Sequence, residues 1–257
     1  MEKQALITGA TAGIGSALAD VMAAEGYALA LVARDQVRLT EKARSLQKQF
    51  QVEVKVLARD LADPASAPEI FAHLQREQFA VSALVNNAGL GVYGPFAETD
   101  LDQEMRMLQV NMGALVQLTK LFLKPMLQRR AGRILNVAST ASFQPGPWLG
   151  LYSATKAFVY SFSCALAVEL EGTGVTVTAL CPGGTRTEFR QRAGMTPKEG
   201  LLRPMEARRV AEIGYRAMLQ GRPTVVAGWK NKLMIAVSRR SPTMWAARVA
   251  RDLNKNH

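Results

Sequence analysis

The chain has 257 residues, of which 48% are hydrophobic, and this suffices for a large core in one or two domains. Its formal net charge is +11, but the basic residues form no dense run of the kind that binds nucleic acid. Cysteine and histidine occur only twice each, too rarely for a disulfide framework, a zinc site or a histidine-based triad. The short N-terminal run is no signal peptide and no apolar stretch approaches membrane-spanning length, so we expect a soluble, cytoplasmic protein.

Predicted strands and helices alternate along the chain. Seven apolar runs have the length and composition of buried strands, at 5–7, 28–33, 52–57, 83–85, 133–137, 175–180 and 224–227. Helical patterns follow the first run and recur at about 36–49, 64–78, 100–129 with a bend near Gly113, 152–171 and 206–219. Residues 186–205 read as an irregular or partly helical segment, and 229–257 as one or two basic amphipathic helices broken by Pro242.

This alternation predicts an α/β fold, a Rossmann-like doubly wound parallel sheet of about seven strands with helices on both faces. No linker or repeat divides the chain, so we predict a single domain over 1–257. Its core would span 4–228, with a substrate flap at 188–205 and a basic helical extension at 229–257. The carboxyl ends of parallel strands form the ligand-binding edge of such sheets. We therefore expect Gly9, Asn86, Ser139 and Pro182, which follow strand ends, to gather there.

Tyr152 and Lys156 are four residues apart in a predicted helix, so they lie on one face. A nearby cation favours the phenolate and lowers the pKa of a phenol, which makes tyrosine a usable acid or base. An ordinary amphipathic helix explains the same spacing and is the better interpretation of the pair taken alone.

A glycine-rich turn stands between the first strand and the first helix, with glycines at 9, 13 and 15. Glycines allow close approach of a pyrophosphate, and a helix N-terminus supplies amides to bind it. A turn needed only for packing is the alternative.

At the end of the second strand, Ala33 and Arg34 replace the acid typical of NAD sites. An arginine here can bind the 2′-phosphate of NADP and therefore favours NADP over NAD. Asp35, the next residue, argues against this preference. The alternative interpretation of Arg34 is an ordinary charged residue on the surface.

Five motifs in this order resemble those of the short-chain dehydrogenase/reductase family, in its compact, single-domain and NADP-preferring branch. They are Thr8-Gly9-x-x-x-Gly13-x-Gly15, Asn86-Asn87-Ala88-Gly89, Ser139, Tyr152-x-x-x-Lys156 and Pro182-Gly183-x-x-x-Thr187. The motifs span 8–187, and the strand–helix alternation extends the resemblance to about 228. Residues 229–257 match nothing that carries chemistry.

The resemblance implies a role for each matching residue. Tyr152 would be the general acid/base, Lys156 would hold the nicotinamide ribose and lower the phenol's pKa, and Ser139 would bind the substrate carbonyl. Asn111 would anchor a water that links Lys156 to solvent, and Ser142 competes for the serine's role. The implied NADP(H) contacts are Thr8, Gly9, Thr11, Gly13, Ile14, Gly15, Arg34, Asp60, Leu61, Asn87, Ala88, Gly89, Tyr152, Lys156, Pro182, Gly183, Thr185 and Thr187. No metal is required, because the cofactor carries the hydride.

Two positions depart from the family pattern. Ala12 stands where many NADP-preferring members have a basic residue, so cofactor choice depends on Arg34. Thr185 replaces a branched apolar residue, which puts the nicotinamide contact in doubt. Neither belongs to the catalytic set.

The predicted substrate wall comprises 91–96, 143–151 and 188–204 and is mostly apolar, which indicates an apolar carbonyl compound. Arg190 and Arg192 would suit an acidic substrate, but solvated charge is favoured for them.

We expect a homodimer or homotetramer, because relatives pair their long helices. The tail, with Trp245 beside Arg248, admits membrane contact, but packing against protein is favoured. The two cysteines, Cys164 and Cys181, are expected to be buried thiols.

The sequence thus predicts an NADPH-dependent oxidoreductase that interconverts a carbonyl and an alcohol. A non-catalytic NADP-binding sensor or scaffold is the main alternative, and an epimerase or dehydratase on the same fold is less favoured. Substrate identity and the direction of the reaction are left open.

Overall fold

The structure is a computed structural model that describes residues 3–195 and 203–254. Its strands are β1 (Gln4–Thr8), β2 (Ala28–Ala33), β3 (Val54–Ala58), β4 (Ala83–Asn86), β5 (Gly132–Val137), β6 (Val175–Cys181), β7 (Thr185–Arg186), β8 (Met205–Glu206) and β9 (Thr224–Val226). Its α-helices are α1 (Gly13–Ala24), α2 (Gln36–Phe50), α3 (Ser66–Arg76), α4 (Leu101–Leu108), α5 (Ala114–Gln128), α6 (Gly150–Glu169), α7 (Phe189–Arg192), α8 (Ala207–Leu219), α9 (Trp229–Arg240) and α10 (Thr243–Asn254).

Seven strands form one parallel sheet in the order β3-β2-β1-β4-β5-β6-β9. The predicted doubly wound sheet is therefore confirmed. The chain moves outward from β1 to β3 and then returns to continue on the other side of β1 at β4. Such a reversal leaves a crevice between the carboxyl ends of the two central strands.

Both faces of the sheet are covered because neighbouring residues of each strand point in opposite directions. Ile7 joins an apolar cluster with residues of α1, α2 and α8, such as Leu18 and Met218. Leu6, one residue earlier, joins a second cluster with α3, α5 and α6, which includes Phe122. The two clusters hold the helices against the sheet and leave its carboxyl edge open for a site.

The long helix predicted over 100–129 is interrupted where the sequence indicated a bend. A π-helical turn, Gln109–Gly113, joins α4 to α5. Two features that the sequence did not indicate lie at the two ends of the predicted flap, the two-residue strands β7 and β8, which pair in parallel. Strands this short have no periodicity to detect. The rest of the predicted flap, 196–202, lies outside the described residues.

Helix α6 has 20 residues and, within the described residues, is the helix long and apolar enough to cross a membrane. The expectation that no stretch approaches that length is therefore wrong on length and composition. Leu166 and Leu170, at the end of α6, are buried in the cluster shared with α3 and α5, whereas Phe158 and Phe162 are only half-buried. Phe158 and Phe162 stack on each other with ring centroids 5.7 Å apart. Helix α6 thus packs on the fold through one face and leaves part of its surface exposed.

Candidate active site

A cavity of about 1120 Å³ opens at the carboxyl edge of the sheet. Residues that follow four strands line it, Gly9 after β1, Asn87 after β4, Ser139 after β5 and Pro182 after β6. Asn86, which we expected at this edge, turns the other way and donates to Asn136 Oδ1 at 2.9 Å inside the fold. Of the predicted cofactor contacts, the cavity is lined by Gly9, Thr11, Gly13, Ile14, Arg34, Asp60, Leu61, Asn87, Ala88, Gly89, Tyr152, Lys156, Pro182, Gly183, Thr185 and Thr187.

The glycine turn begins where β1 ends, and each glycine has a steric reason. Gly9 and Gly13 have φ angles of +67° and +55°, which other residues rarely adopt. A Cβ at Gly13 would also lie 2.7 Å from Thr187 Cγ2, and one at Gly15 would lie 2.2 Å from the Gly9 carbonyl oxygen. The turn therefore requires glycine for its shape, and only Gly9 and Gly13 of the three reach the cavity.

Polar contacts of Thr8 fix the turn against the neighbouring strand end. Thr8 Oγ1 accepts hydrogen bonds from the amides of Asn87 and Ala88, each at 3.0 Å. Asn87 Nδ2 returns a bond to the Thr8 carbonyl at 2.8 Å. Thr8 and Gly15 do not line the cavity, so their contribution is to position the residues that do.

The N-terminus of α1 suits an anion. Its N-cap is Ala12, which has no side-chain oxygen to satisfy the first amides of the helix. Free N-terminal amides and the positive end of the helix dipole favour a phosphate group. Together with Gly13, which lines the cavity without a side chain, this arrangement fits the pyrophosphate of a dinucleotide.

Arg34 and Asp35, which follow β2, differ in whether their charged groups already have partners within the protein. Arg34 is exposed, lines the cavity and has no hydrogen bond or ion pair within residues 3–195 and 203–254. Asp35 is occupied as the N-cap of α2, where Oδ1 accepts from the Arg38 amide at 3.0 Å. Arg38 also lines the cavity and pairs with Glu188 at 3.1 Å. Asp35, the acid that argued against NADP, also lines the cavity, but its carboxylate is held by the first turn of its own helix.

Asp60 follows β3 and lines the same end of the cavity. Partial burial raises the pKa of its carboxyl, but the Ala62 amide and the Arg106 guanidinium outweigh burial and hold that pKa below its usual value. Arg106 Nη2 lies 2.7 Å from Asp60 Oδ2. The carboxylate is thus ionised and fixed between α3 and α4.

Tyr152, Lys156 and Ser139 meet at the other end of the cavity. Tyr152 lies in the first turn of α6, and Lys156 Nζ is 5.9 Å from its ring centroid. Lys156 is buried and donates to the Val137 carbonyl at 2.8 Å. Ser139 Oγ accepts from the Ala141 amide at 3.1 Å and lies close enough to the Tyr152 phenol to lower its pKa. Ser142 instead donates to the Lys156 carbonyl at 2.7 Å and does not line the cavity.

The pKa values of Tyr152 and Lys156 are both shifted by burial. Burial raises the pKa of Tyr152 to about 12, against a hydrogen bond from Ser139 that lowers it. In the cofactor-free protein desolvation is the largest effect on this phenol, and the lowering by Lys156 that the resemblance implies stays a prediction. Burial also lowers the pKa of Lys156 itself to about 8. At neutral pH the site holds a protonated phenol beside an ammonium group.

Asn111 lies in the π-helical turn and contacts two other segments. Its Oδ1 accepts from the Leu90 amide at 2.8 Å, and Nδ2 donates to the Leu90 carbonyl and to Thr155 Oγ1, each at 3.0 Å. A Cβ placed at Gly89 would lie 3.4 Å from both Asn111 Oδ1 and Lys156 Nζ. Asn111 is buried and does not line the cavity. It lies near Lys156, the residue to which the family resemblance links it.

The predicted substrate wall is divided between two cavities. Gly91, Leu149, Phe189 and Met195 line the main cavity, and the Phe189 ring lies 5.2 Å from that of Tyr152. Val92, Phe96 and Trp148 line a separate cavity of about 380 Å³. Phe143 lines neither cavity and packs on Tyr160, with ring centroids 4.7 Å apart. Among the described residues these four side chains do not line the main cavity, because loop geometry rather than composition decides which apolar side chains face it.

Asn254 lines the main cavity although sequence reasoning found no chemistry in the tail. Its carbonyl accepts from Tyr93 Oη at 2.6 Å, and its Nδ2 donates to the Pro147 carbonyl at 3.0 Å. The last described helix thus ends on two loops of the predicted substrate wall. No local pattern could indicate this, because the contacting residues are 161 and 107 positions apart.

A doubly wound parallel sheet with a glycine turn at its reversal point, and a tyrosine, a lysine and a serine in the same cavity, defines a Rossmann-type nicotinamide-dependent oxidoreductase. The family model for short chain dehydrogenases matches residues 3–198. The chain belongs to the short-chain dehydrogenase/reductase family.

Named relatives and solved structures agree with this family. The chain is 36% identical over 251 residues to sulfoacetaldehyde reductase 2 of Chromohalobacter salexigens, a match covering 94% of this chain and 96% of that protein. It is 36% identical over 184 residues to very-long-chain 3-oxoacyl-CoA reductase-B of Danio rerio, covering 70% of this chain and 58% of that protein. The structure of a short-chain dehydrogenase from Sphingobium yanoikuyae in complex with NADPH superimposes with a TM-score of 0.84 at 31% identity, covering 92% and 93% of the chains.

Proposed function

We propose that this protein is an NADPH-dependent carbonyl reductase that also works in reverse as an alcohol dehydrogenase. The observation that carries the proposal is one continuous cavity, which has the glycine turn and Arg34 at one end and Tyr152, Ser139 and Lys156 at the other. A dinucleotide bound along this cavity has its phosphates at the turn and its reactive ring near the phenol. We propose the same role in NADP(H) binding for the other cofactor contacts that the family resemblance implies, because most of them line this cavity.

When bound, NADPH supplies the hydride that converts the carbonyl carbon into an alcohol carbon. Ser139 donates a hydrogen bond to the carbonyl oxygen, on which negative charge develops. Tyr152 gives its phenolic proton to that oxygen, which completes the alcohol and leaves a phenolate. The Lys156 ammonium stabilises the phenolate, and Asn111 holds α6 beside the lysine through Thr155. A tyrosine whose pKa is near 12 is protonated at neutral pH and so carries the proton that the reaction needs, although it is a weaker acid than a free phenol.

The proposed preference for NADP over NAD depends on Arg34. Its guanidinium has five donors that can bind a 2′-phosphate, and the nearest acid, Asp35, caps α2 instead. The Sphingobium relative was solved with NADPH. Both cysteines are free thiols, with Cys181 buried and Cys164 only half-buried, which fits a reducing, cytoplasmic setting.

The proposed substrate is a mainly apolar carbonyl compound, because Leu149, Phe189 and Met195 line the cavity near Tyr152. The two relatives act on unlike compounds, a small sulfonated aldehyde and a long acyl chain, according to their names. Arg190 and Arg192 also line the cavity. A substrate panel should therefore contain acidic and neutral aldehydes and ketones of several lengths.

The proposal is tested by NADPH consumption against that panel with Tyr152→Phe. Removing the proton donor should lower turnover by roughly 10²- to 10⁴-fold, while the affinity for NADPH changes little. Tyr160→Phe makes the same change two turns further along α6 and should leave turnover within about threefold of wild type. Unchanged turnover in Tyr152→Phe would falsify the assigned role. Tight NADPH binding with no turnover on any compound would support the sensor or scaffold alternative.

A further inference from the structure

Helix α9 has an apolar stripe on its outer side that no described residue covers. Trp229, Leu233 and Val237 are four residues apart, so they lie on one face, and they are 71%, 59% and 53% exposed. The opposite face carries Asn231 and Ile235, which are buried against the domain. The helix is therefore anchored by one face and presents a second apolar face to its surroundings.

Helix α10 repeats the arrangement. Ala246 and Ala250 are buried, whereas Met244, Trp245 and Val249 are exposed. Packing against protein, which the sequence favoured for this tail, is observed within the chain for the inner faces of the two helices. A monomer rarely leaves so many large apolar side chains exposed on consecutive helices without a partner.

The same two helices carry a strong excess of positive charge. Lysine and arginine side chains lie exposed among the apolar ones, at Lys230, Lys232, Arg239, Arg240, Arg248 and Arg251. The one acidic residue of the extension, Asp252, pairs with Arg251 at 3.0 Å. More than half of the formal net charge of +11 is thus concentrated in 229–257.

We propose that the outer faces of α9 and α10 dock on the surface of a membrane that contains anionic lipids. Tryptophan and aliphatic side chains enter the boundary between headgroups and acyl chains, and lysine and arginine attract the anionic headgroups. Each cation adds attraction at low ionic strength, so the binding is reversible and sensitive to salt. The proposal concerns where the protein works and does not depend on the proposed reaction.

Two other partners fit this surface less well. A second copy of the chain docked through the same face would bring the six exposed cations of each copy together, because a two-fold interface pairs a surface with itself. A nucleic acid would attract the cations but gives no place for an aliphatic stripe. An anionic bilayer satisfies the charge and the apolar side chains together.

The test is co-sedimentation of the full chain with vesicles of phosphatidylcholine, alone or mixed equally with phosphatidylglycerol. We expect binding only to the mixed vesicles and release by added salt. Leu233→Glu and the pair Lys230→Glu/Lys232→Glu should each weaken binding by roughly tenfold or more. The controls are Leu219→Glu on α8, an exposed leucine, and Arg44→Glu/Lys48→Glu on α2, two exposed basic residues, so each control makes the same change of charge as its test variant. All variants should retain NADPH-dependent activity.

Several outcomes would overturn the proposal. The first is wild-type protein that stays in solution with the mixed vesicles at low salt. The second is an equal loss of binding in the control variants. Dissociation of a wild-type oligomer by Leu233→Glu would assign the stripe to a second copy of the chain. Duplex DNA binding that depends on the lysines but not on Leu233 would assign the surface to nucleic acid.

Discussion

Lys156 combines a chemical role with a cost in stability. Its side chain is 5% exposed and donates to a neutral carbonyl, that of Val137. An ammonium group taken out of water is destabilised unless a charge or several hydrogen bonds compensate it. Burial therefore lowers the pKa of Lys156 to about 8. Lys156, which the proposed reaction requires, is therefore expected to destabilise the folded protein.

The first prediction concerns Lys156→Met in the cofactor-free protein. At about pH 7 we expect the variant to lose activity and to be more stable by about 1 to 3 kcal/mol, because it buries no charge. The unfolded lysine keeps its proton up to a higher pH than the native one. Above pH 8 only the unfolded chain binds the extra proton, so the stability of wild type rises with pH relative to the variant.

Urea unfolding at about pH 7 and about pH 10 measures this difference, which should shrink at the higher pH. Lys120→Met on α5 removes an exposed ammonium and serves as the control, with no such pH dependence. A Lys156→Met variant that is less stable than wild type at both pH values would contradict the prediction.

Arg34→Ala tests the proposed cofactor preference. Loss of charged hydrogen bonds to the 2′-phosphate should weaken NADPH binding by roughly 10- to 100-fold and leave NADH binding nearly unchanged. Titration of each cofactor by fluorescence gives the two dissociation constants. Arg44→Ala, which removes an exposed arginine further along α2, should alter neither. An equal loss for both cofactors would mean that Arg34 supports the site in general.

At the scale of elements, the interruption of the long α4–α5 helix positions a functional side chain. The π-helical turn Gln109–Gly113 contains Asn111, and such turns widen the helix by an extra residue. The amide of Asn111 can thereby reach Leu90 on one side and Thr155 on the other. The bend near Gly113 was predictable from the sequence, but the kind of turn was not.

The C-terminal helix α10 is the second element with a consequence for function. Its last described residue, Asn254, joins the loops of Tyr93 and Pro147 at the cavity. Asn254→Ala should raise KM for the carbonyl substrate several-fold, with little change in the affinity for NADPH. Steady-state kinetics and cofactor titration separate the two effects. Asp252→Ala on the same helix is the control, and equal KM values in all three proteins would exclude a role for Asn254.

At the scale of the whole molecule, the question is which surface joins subunits. Phe158, Phe162, Leu166 and Leu170 recur every four residues along α6, and this apolar stripe is partly used by the chain's own core, since Leu166 and Leu170 are buried. Helix α4 instead exposes Leu101 and Met105, which are four residues apart and so share one face. We expect α4 to lie in the interface of the predicted homodimer or homotetramer.

Multi-angle light scattering should therefore give wild type a mass of two or four times 28.0 kDa. Met105→Glu should shift the protein toward smaller species, because it buries a charge in the interface. Leu219→Glu on α8 adds the same charge elsewhere and should leave the mass unchanged. A wild-type mass of 28.0 kDa at micromolar concentration would count against the prediction.

The sequence by itself determined the seven-strand parallel sheet, its coverage by helices and the family. These follow from local patterns, such as apolar runs of strand length and glycines at fixed spacing, which each segment carries independently of the others. The order of motifs also brought Gly9, Ser139 and Tyr152 to one edge of the sheet, because parallel strands end on the same side.

Tertiary structure alone decided which neighbours face the cavity and how the protons are held. Asn87 rather than Asn86 points into the cavity, Phe143 turns away from it, and Asn254 reaches it from a distant segment. Burial has the largest effect on the pKa of Tyr152. Solvent exclusion and the packing of distant segments depend on the whole fold, so no window of sequence contains them.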